Sequence, residues 1–487
     1  MSLRLHNTLT GAIEPLVAAR AGEVGLYVCG PTVYDRCHLG HARSFIVFDV
    51  LVRYLRFAGQ RVRFVRNITD IDDKIIKRAG EQGVTPKALA ERFIGTFHDD
   101  LAALGCVMPD VEPRATEHLA EMIALIERLI ANDLAYPMAG DVYFAVGKFA
   151  GYGKLSKRKL DDLQAGARVE VDERKRDALD FALWKAAKPG EPSWESPWGA
   201  GRPGWHLECS AMSVKYLDQP FDLHGGGEDL IFPHHENEIA QSEGAAGKPF
   251  VRHWVHHAFV RINDEKMAKS LGNFLTIEET LKRVPAEAMR LFLAGTHYRS
   301  PLDFSEQGLG DAGRACGRIH ETLARLEDAL GSGPGAGAPN GGTPGAAGPP
   351  EVSPAARRFR DDFTAAMDDD LNSPRALGVL FDQIREINSA LDAGERGDLA
   401  AHHRTFVDCA GVLGILRQPA ARYLEDAKSR HLVASGIDPA EIERLIAERN
   451  AARKGRDFRR ADEIRAELLG RGIVLKDGAD GTTWSKG

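Results

Sequence analysis

The spacing of apolar residues between positions 23 and 66 restricts the fold of this chain more than any other feature. The runs "GEVGLYVCG" and "RVRFVRNIT" are rich in residues that favour strands. Between them, "ARSFIVFDVLVRYLRFAG" repeats apolar side chains at helical spacing, at Phe45, Phe48, Val52 and Leu55. A strand, a helix and a second strand in this order form a parallel pair with a right-handed crossover. The sequence therefore predicts an α/β fold built on a Rossmann-type parallel sheet.

The remaining sequence predicts further units around this sheet. A helix, short strands and the irregular stretch "KPGEPSWESPWGAGRPGW" interrupt the pattern, which "FDLHGGG" and "WVHHAFVRI" resume. Helical spacing then dominates, apart from a Gly/Pro-rich loop expected to be disordered, and the end holds a basic helix, "RNAARKGRDFRRADEIRAELL", and a hairpin. The predicted bounds are 1–110 and 201–250 for the two halves of the sheet domain, 111–200 for an insertion, 251–306 for a linking domain, 307–420 for a helical bundle containing the loop 331–350, and 421–487 for a small mixed α/β module.

Composition limits the classes of protein to which the chain can belong. With 487 residues, 43% of them apolar, it can build two or three cores. Its six cysteines are too few and too scattered for a disulfide framework, which indicates a reducing compartment. No run approaches the roughly 18 apolar residues of a membrane span, and no signal peptide is recognisable, so we expect a cytoplasmic protein without membrane contact. A formal charge of -7 means that any contact with nucleic acid is local.

The turn between the first strand and the helix, "GPTVYDRCHLGH", is suited to phosphate. Unpaired N–H groups at a helix N-terminus attract anions, and Gly30 and Gly40 allow close approach of the backbone. His38 and His41 stand three positions apart at the helix start and can aim both imidazoles at one phosphorus. Two solvent-exposed capping histidines are the alternative interpretation.

A second cationic loop, "NDEKMAKSLGNF", follows more than 200 residues later. Lys266 and Lys269 flank an apolar Met267, and two ammonium groups in such a loop can clamp the outer phosphates of a nucleotide. Alone, the run could be an ordinary solvated loop. In combination with "HLGH" it predicts a nucleotide site.

These two signatures resemble those of the class I aminoacyl-tRNA synthetases, which adenylate an amino acid and pass it to tRNA. The order of further segments is that of the cysteinyl-tRNA synthetase family: "YVCGPTVYDRCHLGHAR", "RNITDIDDKII", "LWK", "GRPGWHLECSAM", "DLHGGGEDLIFPHHENEIAQSE" and "TTW". The resemblance implies a Rossmann-type catalytic domain, an insertion that contacts the acceptor end of tRNA, a tRNA-binding helical bundle and an anticodon-binding C-terminal module. It further implies Mg²⁺ with ATP, L-cysteine and tRNA(Cys) as substrates, and a monomer.

One position departs from the family pattern. The third residue of the lysine loop is Ala268, where the family usually has serine, so a hydroxyl that could touch a phosphate is missing. Because both lysines and Ser270 remain, we expect phosphate clamping to survive.

A metal site is indicated by residues that are distant in sequence. A helix from residue 234 onward would place His234 and Glu238 on one face, and Cys29 and Cys209 can supply two thiolates of a zinc site. Spacing alone does not establish this set, because a histidine and a glutamate four apart are common on surfaces. The resemblance implies one Zn²⁺ per chain on these four residues. Bound there, zinc would select the substrate thiol over the hydroxyl of serine.

The resemblance also implies narrower roles for residues near the strand ends. Asp229, which follows "GGGE", matches the acidic residue that contacts the ATP ribose, and Gly227 would admit the adenosine. Thr69 follows a predicted strand, at the sheet edge where α/β folds bind ligands. With Trp205 and His224 it is predicted to bind the substrate cysteine, although a place in the core is an equal alternative for the tryptophan.

The C-terminal module carries the predicted tRNA contacts. Between residues 449 and 465 there are seven Arg or Lys against three Asp or Glu, a basic patch on an acidic chain. The predicted contacts are Arg453, Lys454, Arg456, Arg459 and Arg460, with Trp484 stacking on an anticodon base. An ordinary solvated helix is the alternative.

Two other functions compete with this reading. A cysteine ligase that acts on an amino sugar, of the mycothiol type, would keep the catalytic half but lack the anticodon-reading module. A zinc-dependent RNA-binding protein without catalytic activity would have no use for two phosphate-binding signatures. The presence of all these segments favours a cysteine–tRNA ligase over both.

Overall fold

The structure is a computed structural model that describes residues 3–159, 175–262, 265–266, 274–331, 353–395, 397–435, 439–478 and 481–486. The Gly/Pro-rich loop predicted to be disordered lies outside these residues, except for Gly331. Within the part of the chain described, no helix combines the length and apolar character needed to cross a bilayer.

The elements are numbered in chain order. The strands are β1 (Arg4–Asn7), β2 (Ala12–Pro15), β3 (Glu23–Val28), β4 (Arg61–Arg66), β5 (Ala135–Met138), β6 (Asp141–Phe144), β7 (Phe181–Ala186), β8 (Gly201–Pro203), β9 (Phe221–Gly227), β10 (Val251–His257), β11 (Val260–Ile262), β12 (Glu265–Lys266), β13 (Leu302–Asp303), β14 (Ile473–Gly478) and β15 (Gly481–Lys486). The α-helices are α1 (Leu39–Phe57), α2 (Asp73–Gln82), α3 (Pro86–Leu104), α4 (Leu119–Ala131), α5 (Trp205–Leu217), α6 (Glu236–Ala246), α7 (Ile277–Leu281), α8 (Ala286–Ala294), α9 (Glu306–Ala329), α10 (Pro354–Asp368), α11 (Ser373–Asp392), α12 (Leu399–Val412), α13 (Ala420–Ser435), α14 (Pro439–Lys454) and α15 (Phe458–Gly470).

A parallel sheet in the order β10-β9-β3-β4 forms the centre of the first half of the chain. The predicted strand, helix and strand correspond to β3, α1 and β4, and the prediction of a Rossmann-type sheet is confirmed. Since the strands are parallel, their carboxyl ends share one edge, where Cys29 follows β3 and Glu228 follows β9.

Two boundaries differ from the predictions. β10 was assigned to the linking domain, yet it is hydrogen-bonded along β9, so the predicted boundary at residue 250 separates a strand from its own sheet. The stretch expected to be irregular ends in β8, because the backbone of β7 offers it hydrogen-bonding partners in the antiparallel sheet β5-β6-β7-β8. The domain bounds otherwise remain predictions.

The C-terminal module also differs from the prediction. The predicted basic helix is interrupted: α14 ends at Lys454 and α15 begins at Phe458. Arg456 has a φ of 63°, and the Asp457 side chain accepts a hydrogen bond from the backbone N–H of Arg460, which starts a new helix. The predicted hairpin is present as β14 and β15.

Buried charges join the first half of the chain to the helices that follow it. Arg290 of α8 is fully buried and forms an ion pair with Asp49 of α1. Its Nε also donates to the carbonyl of Leu413 at 3.0 Å, and its Nη1 to that of Leu104 at 3.2 Å. One side chain therefore links the helix that begins at "HLGH" with the end of the bundle.

The hairpin of β1 and β2 makes contacts on two sides. The N–H of His6 donates to Asp370 Oδ1 at 2.8 Å, in the turn between α10 and α11. The N–H of Thr8 donates to the carbonyl of Trp254 at 2.9 Å, in β10. The hairpin thus connects the parallel sheet to the helical bundle.

Candidate active site and metal centre

The two histidines of "HLGH" cap the helix that they begin. His38 Nδ1 accepts from the N–H of Gly40 at 3.1 Å, and His41 Nδ1 accepts from the N–H of His38 at 3.1 Å. In a neutral ring an accepting Nδ1 leaves the proton on Nε2, so both rings have a donor nitrogen on the side away from the cap. A Cβ at position 40 would lie 2.8 Å from the His38 ring, which explains the glycine.

The chain after the lysine loop is attached to this helix start. The N–H of Leu39 donates to the carbonyl of Leu275 at 3.0 Å, and the N–H of Ile277 donates to that of Cys37 at 3.1 Å. Lys266 ends the short strand β12, which pairs with β11. Lys269 lies outside the described residues. The described residues that follow the lysine loop therefore lie against the start of α1.

The four predicted metal ligands converge at the carboxyl edge of the sheet. Their donor atoms all lie within 4.8 Å of one another. Cys29 Sγ lies 3.6 Å from Cys209 Sγ, 3.6 Å from His234 Nε2 and 3.5 Å from Glu238 Oε1. His234 Nε2 lies 3.0 Å from Glu238 Oε1. α5 supplies Cys209 and α6 supplies Glu238, while His234 belongs to the π-helical turn Ile231–His235 before α6.

The three separations from Cys29 Sγ fit a tetrahedral ion, whereas the 3.0 Å between His234 Nε2 and Glu238 Oε1 is slightly shorter than such an ion requires. Zinc bonds of about 2.0 to 2.3 Å at tetrahedral angles place ligand atoms roughly 3.3 to 3.8 Å apart. Two sulfurs, one imidazole nitrogen and one carboxylate oxygen form a donor set that suits Zn²⁺. His234 Nδ1 lies 2.8 Å from His206 Nδ1, so a proton on the first can be donated to the second while Nε2 faces the ion.

Electrostatics favours the ionised, metal-binding form of two of the four residues, Cys209 and Glu238. Burial alone would raise the pKa of Cys209, but hydrogen bonds with Cys29 and His234 lower it to about 6. Burial would likewise raise the pKa of Glu238, but the charges of His224 and His234 lower it to about 2. The pKa of Cys29 is raised, first by burial and then by its hydrogen bond to Cys209. One thiol and the carboxylate are thus prepared for binding.

Further histidines surround the predicted ligands, and sequence reasoning missed their arrangement. His224, His235, Cys29 and Glu238 form a second group with donor atoms within 4.8 Å. His235 Nε2 lies 3.3 Å from Cys29 Sγ, and its Nδ1 lies 2.7 Å from His256 Nε2. Burial lowers the pKa of both His235 and His256 well below the usual value, so both rings are neutral. Of the two candidate groups, only the first contains both sulfurs.

The three residues predicted to bind cysteine differ in accessibility. Trp205 is 37% exposed and stacks on His234, with ring centroids 4.3 Å apart, so it forms an open wall of the centre. His224 is fully buried, and its Nε2 lies 2.8 Å from Glu238 Oε2. The Thr69 hydroxyl donates to the buried Glu208 at 2.7 Å. Both polar groups therefore face protein partners, and a direct contact with substrate stays a prediction.

The predicted adenosine residues lie at the end of β9. Gly227 ends this strand, and the exposed Asp229 lies in the short 3₁₀-helix Glu228–Leu230. A Cβ at position 227 would lie 2.5 Å from Asp229 Oδ1, so glycine lets this carboxylate fold back towards the strand. Gly30 is equally constrained, because a Cβ there would lie 1.5 Å from the carbonyl oxygen of Asn67.

Trp484, which is predicted to stack on an anticodon base, faces the core of the C-terminal module in this structure. Its ring is only 9% exposed, within a core that includes Ile442, Ile464 and Leu475. Its Nε1 donates to Glu443 at 3.0 Å. The hairpin turns the ring inward because alternate residues of a strand face opposite sides.

An exposed aromatic residue of the same module was overlooked. Phe458, at the first position of α15, is 61% exposed and stands beside the predicted cations. Of those, Arg453 pairs with Asp477, while Arg459 and Arg460 pair with Glu463. Within the described residues, no ion pair is recorded for Lys454 or Arg456. Phe458 interrupts the charged run "RKGRDFRR", a signal that could have identified it.

Comparison with known proteins agrees along the whole chain. A family described as "tRNA synthetases class I (C) catalytic domain" matches residues 15–314, a "DALR domain" matches 362–417, and "Cysteinyl-tRNA ligase anticodon binding domain" matches 439–484. A cysteine–tRNA ligase of Geobacter sulfurreducens is 55% identical and one of Geobacter metallireducens is 54% identical; each comparison covers 99% of this chain and 99% of the relative.

A solved structure supports the fold independently. The methionyl-tRNA synthetase of Mycobacterium tuberculosis in complex with methionyl-adenylate superimposes with a TM-score of 0.57. The superposition covers 86% of this chain and 95% of that one, at 17% sequence identity.

Proposed function

The chain belongs to the cysteine–tRNA ligase family of class I aminoacyl-tRNA synthetases, and from this premise we propose how its residues divide the reaction. Identity above 50% to cysteine–tRNA ligases over the full length carries the function itself: a ligase that charges tRNA with cysteine. The roles of individual residues, the metal and the tRNA contacts are our proposal.

We propose that Cys29, Cys209, His234 and Glu238 hold one Zn²⁺ ion. The support is an S₂NO donor set in which three of the four residues are buried and the separations from Cys29 Sγ suit a tetrahedral ion. Bound there, zinc would offer the thiol of cysteine a soft ligand site that the hydroxyl of serine fills poorly. The exposed ring of Trp205 beside His234 leaves an approach for a small substrate.

In the activation step, the cysteine carboxylate attacks the α-phosphorus of Mg·ATP and diphosphate leaves. His38 and His41 donate from Nε2 to the α-phosphate oxygens, on which negative charge increases in the transition state. Lys266 and Lys269 hold the departing diphosphate, and Gly227 and Asp229 position the adenosine. No protein nucleophile is needed, because orientation and charge stabilisation lower the barrier.

In the transfer step, a hydroxyl of the terminal ribose of tRNA attacks the adenylate carbonyl and AMP leaves. The anticodon end is held by the C-terminal module, through Arg453, Lys454, Arg456, Arg459 and Arg460. We assign base stacking to Phe458, which is exposed beside these cations.

The test uses the full chain in two assays. Cysteine-dependent exchange of radiolabelled diphosphate into ATP measures activation, and charging of tRNA(Cys) measures transfer. We expect both to succeed, with serine far below cysteine. Lys269→Ala should lower exchange far more than cysteine affinity, and the reverse pattern would contradict its role.

The rival functions predict different outcomes. A ligase for an amino sugar would support exchange without charging tRNA, and a non-catalytic RNA-binding protein would fail both assays. The matched anticodon-binding region at residues 439–484 does not favour either rival.

A further inference from the structure

We propose that the hydroxyl of Thr8 positions the Cys29 ligand of the metal centre through a chain of two histidines. The proposal rests on the metal site proposed above. It assigns to the N-terminal hairpin a part in cysteine recognition, although Thr8 itself touches none of the four ligands.

The chain of hydrogen bonds from Thr8 to Cys29 consists of three consecutive contacts. Thr8 Oγ1 lies 2.8 Å from His256 Nδ1. His256 Nε2 lies 2.7 Å from His235 Nδ1. His235 Nε2 lies 3.3 Å from Cys29 Sγ. His235 is fully buried and His256 is 7% exposed, so water cannot readily replace these partners.

The direction of the hydrogen bonds follows from the state of Cys29. A metal-held thiolate can only accept, so Nε2 of His235 must carry a proton and donate. A neutral His235 then accepts at Nδ1, from the Nε2–H of His256. His256 in turn accepts at Nδ1, from the hydroxyl of Thr8. The thiolate therefore sets the direction, and the hydroxyl, which can rotate to donate, satisfies the His256 Nδ1 lone pair that this tautomer leaves at the end of the chain.

The opposite direction of these hydrogen bonds would remove the support of the Cys29 thiolate. If His256 carried its proton on Nδ1, its Nε2 would be an acceptor, and His235 would have to donate from Nδ1. A lone pair of His235 Nε2 would then face the sulfur, and repulsion between the two acceptors would displace the ring. Hydrogen-bonded partners behind a ligand are known to orient it and to tune the metal.

The backbone places the Thr8 hydroxyl firmly. Asn7, only 2% exposed, donates from Nδ2 to the carbonyl of Arg252 at 3.1 Å and accepts at Oδ1 from the N–H of Trp254 at 3.1 Å. The N–H of Thr8 donates to the carbonyl of Trp254 at 2.9 Å. These bonds fix the turn against β10, with Thr8 beside His256.

The experiment compares three variants of the full chain loaded with Co²⁺ in place of the native metal. Thr8→Val removes the hydroxyl at nearly constant volume, and Thr8→Ser retains it. Thr10→Val is the matched control, because this exposed threonine lies in the same turn and its hydrogen bonds, to backbone atoms of Asn7 and Ala12 and to the Glu14 carboxylate, involve neither histidine. The readouts are the thiolate-to-cobalt absorption band, the rate of cobalt loss to a chelator, and the KM values for cysteine and ATP.

We expect Thr8→Val to shift the absorption band, to lose cobalt about tenfold faster, and to raise the KM for cysteine while the KM for ATP stays constant. Thr8→Ser and Thr10→Val should resemble the wild type. A Thr8→Val chain with the wild-type band and rate of loss would overturn the proposal, even if its Tm were lower, because Thr8 would then be merely structural. A wild-type chain that binds neither cobalt nor zinc would instead overturn the metal site, and this proposal with it.

Discussion

Two aromatic residues of the C-terminal module should respond oppositely to truncation. Trp484 is 9% exposed and Phe458 is 61% exposed. Trp484→Ala removes a core side chain, its hydrogen bond to Glu443 and the contact of its ring with Lys428 Nζ at 3.5 Å. Such a truncation costs about 3 to 5 kcal/mol, enough to unfold a small module. Phe458→Ala at the exposed first position of α15 should change the free energy of unfolding by about 0.5 kcal/mol or less.

Binding of tRNA should depend on the two residues in the opposite way: on the exposed Phe458 and not on the buried Trp484. Loss of one stacked base weakens binding by about 1 to 3 kcal/mol, or roughly 5- to 150-fold. We therefore expect Phe458→Ala to weaken tRNA(Cys) binding by this factor with an intact fold. Trp484→Phe, which keeps most of the core volume, should bind tRNA almost normally. Both variants should retain cysteine-dependent diphosphate exchange, since the catalytic half is unchanged.

The assays are a tRNA titration at fixed salt, a thermal melt, and exchange and charging measured in parallel. Salt is held constant because phosphate contacts make the affinity depend on it. A folded Phe458→Ala chain with wild-type tRNA affinity would refute the assignment of stacking. A folded Trp484→Phe chain that loses tRNA would show that the buried ring contacts RNA after all.

Further substitutions test the proposed ATP site, the proposed metal centre and the buried ion pair between α1 and α8. His41→Ala should lower exchange about 10²- to 10³-fold, as for loss of one oxyanion donor, while cysteine affinity is retained; a rate close to that of the wild type would remove His41 from the chemistry. Cys209→Ser should lower zinc content, measured by atomic emission, together with cysteine affinity, and full zinc occupancy would contradict the ligand set. Burial would raise the pKa of Asp49, but Arg290 and Arg53 lower it, so its stabilising effect is present above the unfolded value near 3.9 and is lost as pH falls through the folded value. Asp49→Asn should lower the free energy of unfolding by about 3 to 5 kcal/mol at pH 7 and weaken the acid dependence of urea unfolding. A urea midpoint that is unchanged at pH 7 and falls with acid as in the wild type would contradict this.

The sequence predicted those parts of the site that depend on local pattern. β3, α1 and β4 follow directly from apolar spacing, and the four-residue step from His234 to Glu238 placed two ligands on one face. The contributions of Cys29 and Cys209 could not be derived from spacing, because the two residues are 180 positions apart and come together only through tertiary packing. The family resemblance supplied them.

Other features were missed because tertiary packing decides them. Trp484 and Phe458 are both aromatic residues beside charges, and only the twist of the hairpin and the new helix start at Asp457 determine which of them is buried. The chain of hydrogen bonds from Thr8 to Cys29 includes residues of β10 and of the turns after β1 and β9, so no local pattern reveals it. Sequence patterns report faces of single elements, whereas such contacts depend on how elements are placed together.

The two-sided hairpin of β1 and β2 has a consequence for biosynthesis. Its residues leave the ribosome well before its partners Trp254 and Asp370, which follow about 250 and 360 positions later. At about 5 to 20 residues per second, the hairpin waits roughly 12 to 50 s for the first partner alone. All four proposed metal ligands emerge before β10: Cys29, Cys209, His234 and Glu238. A nascent chain can therefore bring them together before β10 is available to pack behind them. Cysteine recognition would then mature in two stages, and the hairpin of β1 and β2 would complete the second.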